Sequence, residues 1–369
     1  MKYYLTILFF TILFSNIKAQ ELGVFEDGMK RFYIFDKDHF IKAEHLPVKQ
    51  YWVGKKYIAY INNQGRFIMY YQGKKHEITL AKVVVKATDH YLVYFVDEQV
   101  WLFNGNTIKL LDPWIKSEKL EGDIRKFPSF ALSDSIIGFT NSFERFIVAE
   151  KGQKKEIELW DVNKLRAGEN IMAYVDNNDV FRAYYKGERF FIEDRIPKSF
   201  VPKTDIIAYV DDFGTFKVWY KDEVIELQEI VPSRYYTGDK MVAYLDDMQN
   251  FVWFYDGKMY DILPYMPDRI IMKHNVLVYN DNRGFLHAFY NGKDTRIAAY
   301  NPKKVAVRDD MVVFQDLDGY VKAFYKGKII PISKEIAFEF EVFNQTVIYK
   351  TNEYTWKAYY NGKTYEYLP

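Results

Sequence analysis

The chain has 369 residues, 51 Lys and Arg against 50 Asp and Glu, 19% aromatic residues and no cysteine. That balance gives no bulk electrostatic case for nucleic acid or an anionic membrane. The missing cysteine excludes disulfide staples and a lipid-modified N-terminal Cys, so stability must come from core burial, which a chain of this length can supply.

The first element is a leader. Residues 1–19, MKYYLTILFFTILFSNIKA, place Lys2 before an apolar run from Tyr3 to Phe14 and close on Ile17-Lys18-Ala19. This is the layout of a secretory signal peptide cut after Ala19, and the run is too short to span roughly 30 Å of hydrocarbon. Cleavage removes Lys2 and Lys18 and no acid, leaving 49 basic residues against 50 acidic. The ending Lys18-Ala19-Gln20 is similar to Gram-negative export signals. The expected location is therefore periplasmic, outer-membrane-associated or extracellular, with no integral membrane segment after cleavage.

Residues 20–369 read as a single repeat domain with a period of 35. Register marks fall at Asp27, Asn62, Asp97, then after a step of 44 at Asn141, Asp176, Asp211, Asp246, Asp281, Asp316 and Thr351. An aromatic residue stands two positions before every mark, from Phe25 and Tyr60 to Phe314 and Tyr349. A glycine follows eleven after most marks, as in Gly73, Gly187 and Gly327, with Asp38 and Asp222 in its place in two units. Aspartate tolerates the left-handed backbone, so both are expected to keep the turn. Between these anchors lie runs of four to seven residues rich in Val, Ile, Phe and Tyr, which are strands. One period is a four-stranded antiparallel meander, and meanders that cannot bury both faces alone must stack.

The tandem meanders resemble β-propellers over the whole mature chain, without matching a named repeat family. The dipeptide Trp160-Asp161 falls outside the register of a WD-type blade, there is no kelch-like Gly-Gly pair, and Asp211–Trp219 is only loosely similar to quinone-dehydrogenase blades. The resemblance implies an all-β propeller of 35-residue blades, about nine full units plus a partial first one that lacks its opening strand. The alternative is an open arc of stacked β-meanders.

Candidate sites are sparse. The Asp and Asn marks read as β-turn caps, because no unit supplies the six to eight oxygens calcium takes. His90 and His274 lie seven before their marks, a slot held elsewhere by Lys55, Asp134, Glu169, Thr204, Asp239, Asp309 and Asn344. The expectation is a solvated polar turn, with the two histidines on opposite sides of the ring and unable to share a metal. No nucleophile elbow, His-Glu-x-x-His or phosphate loop is present, so no catalytic residue, cofactor or metal is expected. A site assembled at the channel mouth stays open.

The period fails once, at 110–134, where an inserted loop carries Trp114, Ile115, Lys116, Lys119, Arg125 and Lys126. Insertions in repeat folds map to loops, loops carry binding, and an exposed Trp anchors partners. The reading is a non-enzymatic protein-binding or scaffold module of the bacterial envelope. A multivalent lectin is the alternative, since paired tyrosines such as Tyr184-Tyr185 offer stacking faces for a glycan; a propeller hydrolase or lyase comes third.

Overall fold

A computed structural model describes residues 22–96, 99–112, 118–119, 125–126, 130–150 and 152–368. Nine four-stranded antiparallel meanders occupy residues 50–79, 84–112, 130–158, 163–193, 199–228, 235–263, 270–298, 305–331 and 339–367. They follow a three-stranded sheet of Leu22–Glu26, Phe32–Asp36 and His39–Glu44. The count is ten blades, numbered here 1 to 10. The expected "nine plus a partial" is corrected, because the three-stranded sheet holds a full blade's place between its two neighbours. The ring also closes, against the open-arc alternative. Leu22–Glu26 packs on Glu339–Phe343 and Thr346–Lys350 of blade 10 and on Gln50–Val53 of blade 2. One core cluster unites Phe25 and Ile34 with Tyr60 and Ile68 on one side and Ile348 and Trp356 on the other.

The central strands explain why stacking is obligatory. In blade 6, Ile206–Val210 is buried along its whole length. Successive strand residues face opposite ways, so Ile207 and Tyr209 pack with blade 5 residues Ile171 and Phe181, while Ile206, Ala208 and Val210 pack with Val242 and Tyr244 of blade 7. Each sheet is therefore apolar on both faces and needs a neighbour on each. Where the aromatic before the mark is tyrosine, it can add a polar tie. Tyr60, Tyr174 and Tyr209 donate their hydroxyls to Glu44, Glu158 and Glu193 of the preceding blade at 2.9, 2.7 and 2.8 Å. Burial first, and the adjacent carboxylate second, push these phenols far above their usual range.

The turns follow from local chemistry. In the second-to-third-strand turn the mark's Oδ1 accepts backbone N–H groups two and four residues on. Asp27 takes those of Met29 and Arg31, Asn62 those of Gln64 and Arg66, Asp281 those of Arg283 and Phe285. Asn141, Asp176 and Asp316 repeat the pair; Asp211 accepts from Gly214 and Thr215, and Asp246 from Asn250. Asp97 lies outside the described residues. In the third-to-fourth-strand hairpin both central residues are left-handed, as at Lys186 (φ 51°) and Gly187 (φ 85°). Asp222 (φ 72°) keeps that turn after Lys221 (φ 49°), whereas in blade 1 Lys37 alone is left-handed (φ 62°), so Asp38 does not take the glycine's conformation.

Two stability outcomes follow. Tyr209→Phe removes a hydrogen bond to a charged acceptor and should lower the free energy of urea unfolding by about 1.5–3 kcal/mol; an unchanged midpoint would deny the inter-blade tie. Asp222→Gly relieves a left-handed side chain and should raise stability by about 1 kcal/mol in the same assay.

Candidate functional site

Within each meander the first strand lies nearest the ring axis, since first strands of successive blades contact one another. The turn leading from it to the second strand therefore points to one end of the central channel. The slot seven before each mark sits on this turn, and its occupants converge there. The backbone N–H of His90 donates to Asp134 Oδ1 at 2.9 Å, and its Nδ1 lies 3.7 Å from the same oxygen. Thr204 Oγ1 donates to Asp239 Oδ1 at 2.6 Å. His274 stands between Asp239, 3.3 Å from its Nδ1, and Asp309, 3.8 Å from its Nε2.

The axis is also crossed. Lys55 of blade 2 lies 3.6 Å from Asp309 of blade 9, and Arg308 pairs with Asp89 of blade 3. Asn344 Nδ2 of blade 10 donates to the Gly54 carbonyl of blade 2 at 3.4 Å. A cavity of about 350 Å³ remains at this mouth, lined by Asp89, Asp134, Glu169, Asp239, His274 and Arg308 among others. One expectation is thereby corrected: the slot is not a set of separate solvated turns. His90 and His274 belong to blades 3 and 8, with Asp134, Glu169 and Asp239 on blades between them. A 35-residue period reports spacing along the chain and carries no information about ring radius.

The electrostatics centre on Glu169. Burial, then Asp134 and Asp239, push its carboxyl up to about 7, while His274 and Lys55 pull the other way. His274 is raised by its bond to Asp239 against the effect of burial. Among the described residues, His90, Asp134 and Glu169 each bring one ligand atom within 4.8 Å of the others. Three such donors are fewer than calcium takes and fill only part of a transition-metal shell. A carboxyl poised near neutrality suits proton exchange. The nearby hydroxyls, however, are committed: Ser133 donates to the carbonyls of Ile136 and Glu169, and Ser135 to that of Glu169. The mouth is cross-linked by its own charges and presents no paired nucleophile and base among the described residues.

The opposite face differs in kind. It carries the capped second-to-third-strand turns and the connections from each fourth strand to the next blade. Phe143, Phe213, Met248 and Leu317 stand on four of those turns, 77–78% exposed. Leu80, Trp160, Ile230 and Phe338 are exposed on the connections. Among the described residues, no large apolar side chain is exposed on the turns of the channel-mouth face. The inserted loop belongs to this apolar side by its ends, because it leaves Ile108–Asp112 and rejoins at Phe130–Leu132, a fourth-to-first connection. Trp114, Ile115 and Lys116 lie outside the described residues. Lys119, Arg125 and Lys126 fall in two short strands, Glu118–Lys119 and Arg125–Lys126, which pair antiparallel. The tyrosine pairs are largely spent on packing: Tyr184 and Tyr185 are both buried, as is Tyr70.

A pH test follows from Glu169. A carboxyl raised from 4.5 to about 7 favours the native state fully below pH 4.5, and that contribution is lost as pH rises through about 7. Glu169→Gln should therefore leave the Tm unchanged near pH 4 and raise it above pH 7.5. An equal effect at both pH values would mean that the carboxyl's charge is not what destabilises the mouth.

No curated protein matches the sequence. Among solved structures, one described as the eukaryotic initiation factor superposes with a TM-score of 0.51 at 9% identity, covering 95% of this chain and 98% of that one. The computationally designed Ika8 protein gives 0.33 at 14% identity over 76% of this chain and 96% of that one. The CRINKLY WD40 ectodomain of an Arabidopsis thaliana receptor kinase gives 0.36 at 8% identity over 69% and 98%. At such identities the initiation-factor likeness shows the fold alone, and the two lower scores add nothing to it. The family model for the 10-bladed beta propeller domain matches residues 16–365. With ten blades closed into one ring, the chain belongs to the 10-bladed beta propeller domain family.

Proposed function

We propose that the protein is a non-enzymatic binding module of the bacterial envelope that docks a protein partner through its apolar face. The observation carrying this is the sidedness of the ring: bulky apolar tips crowd the turns of one face, while the described turns of the other are polar. Apolar tips spread over several blades form the kind of exposed patch that marks an interaction surface. Large side chains such as Phe143, Phe213 and Trp160 supply the anchors on which binding energy concentrates. Arg66, Arg145 and Arg195 on this face are each paired with an acid, Glu77, Glu156 and Asp212. The leader expected at residues 1–19 supports a role outside the cytoplasm, and the ends of the loop at 110–134, Asp112 and Phe130, open on the same face.

The test is affinity capture from envelope extract with the leader-cleaved chain beside a Phe143→Ser, Phe213→Ser, Met248→Ser, Leu317→Ser variant. These side chains are exposed, so the variant should unfold within about 0.5 kcal/mol of the parent per site. One protein retained by the parent and lost by the variant is the expected result. Equal retention by both moves the interface elsewhere, and retention of neither protein nor lipid but of glycan resin replaces the reading with the lectin.

A further inference from the structure

Over three successive blades the slot seven before the mark holds residues that ligate metal ions: His90 of blade 3, Asp134 of blade 4 and Glu169 of blade 5. Their turns are fixed by the protein itself. Tyr57 of blade 2, wholly buried, donates its hydroxyl to the carbonyls of Thr88 and Tyr91 at 2.6 and 3.0 Å and so clamps the His90 turn. The His90 backbone N–H donates on to Asp134, and Ser133 and Ser135 donate to the Glu169 carbonyl, which makes the three turns one hydrogen-bonded run. Gly168 seats the last of them closely, since a Cβ there would stand 2.7 Å from the backbone N and O of Lys203 in blade 6.

We propose that His90, Asp134 and Glu169 bind a divalent transition-metal ion of the zinc type, one donor from each blade, with water completing the shell. The site lies at the opposite end of the channel from the apolar face, and neither reading depends on the other. Three protein donors and one water are what an open zinc site uses. Donors about 2.1 Å from a tetrahedral ion stand about 3.4 Å apart. His90 Nδ1 and Asp134 Oδ1 are 3.7 Å apart, and the three ligand atoms all lie within 4.8 Å of one another. The remaining approach, at most about 1.4 Å, is within reach of side-chain rotation on fixed turns. The cavity of about 350 Å³ that Asp134 and Glu169 line gives the water its place.

The donor set selects the ion, and the surrounding charges select the place. One imidazole with two carboxylates suits zinc and its first-row neighbours, whereas calcium takes six to eight oxygens and magnesium an octahedral oxygen shell. The other acids lining the cavity have partners of their own: Asp89 pairs with Arg308, Asp309 with Lys55, and Asp239 lies against His274. That leaves Asp134 beside the His90 ring and Glu169 beside Asp134. An ion of charge +2 among these three neutralises both carboxylates and ties blades 3, 4 and 5 to one another.

Isothermal titration of zinc chloride at pH 7.5 into the full chain, purified without a histidine tag and freed of metal with EDTA and dialysis, tests the site. One ion per chain is expected, with calcium bound at least about a hundredfold more weakly. His90→Ala and Glu169→Gln should each weaken zinc by at least about tenfold, and the two together should abolish binding. Zinc should raise the Tm of the parent and leave that of the double variant unchanged. In EDTA the Tm of His90→Ala should match the parent's, because the ring is half-exposed, and this separates loss of the site from loss of the fold. His39→Ala is the control for a stray ion, since His39 and Asp38 form an exposed pair in the outer hairpin of blade 1. Zinc bound by His39→Ala and lost by the double variant supports the site. Absence of heat, calcium bound as tightly as zinc, binding lost with His39→Ala, or binding indifferent to the double substitution (an adventitious ion only) overturns it. The Phe143→Ser, Phe213→Ser, Met248→Ser, Leu317→Ser variant should bind zinc as the parent does, so this site and the apolar face fail independently.

Discussion

A four-stranded meander with apolar residues on both faces cannot exist alone in water, and this constraint organises the whole molecule. Ile206–Val210 shows it within five residues, three turned to one neighbour and two to the other. Sheets of this kind can stack without limit, aggregate by their end faces, or close into a ring. Closure removes both end faces at once, so the first and last blades here share one core. The drift of side chains between repeats has the same origin. A neighbour demands volume and polarity at a given depth and accepts Phe, Tyr or Trp in the same role.

The contacts between first strands set the inner geometry. Among the described residues nine first strands surround the axis, and blades 10 and 2 meet directly through Asn344 and Gly54. Blade 9 reaches blades 2 and 3 through Asp309 and Arg308. The channel is thereby narrowed, and its mouth fills with opposed charges that share one environment. Glu169 carries the cost of that crowding, being desolvated and faced by two other carboxylates. The apolar rim lies where neighbours do not satisfy the chain, and it is a place where a partner can.

Much of the fold was legible because it is local. The strand–turn alternation, the capping role of the marks and the stacked aromatics all depend on contacts within one period or between adjacent ones. The closure between Phe25 and Trp356, with ring centroids 5.1 Å apart, leaves no trace in the period. Nor does the meeting of His90, Asp134 and Glu169, which depends on how tightly ten wedges pack around an axis. Asp222 and Asp38 look alike in sequence, yet only Asp222 adopts the left-handed turn. The sidedness of Phe143, Phe213 and Met248 was available to sequence reading. Each stands two residues after its mark, a signal hidden because the intervening blades place Asn178 and Arg283 there.

The seam lies between the first and last blades. Neighbouring blades touch across about one period of chain, but at the seam Tyr367 lies against Tyr33 with centroids 4.7 Å apart, and Arg31 donates to the Tyr367 hydroxyl at 3.2 Å. Among the described residues no strand is shared between the first and last blades. The described ends of the chain are therefore spatial neighbours held by side chains alone, as in folds that accept circular permutation. Joining them and reopening the chain at any fourth-to-first connection would keep every sheet intact and move the seam around the ring. The linear order of the blades is thus one of several that the same ring of sheets could carry.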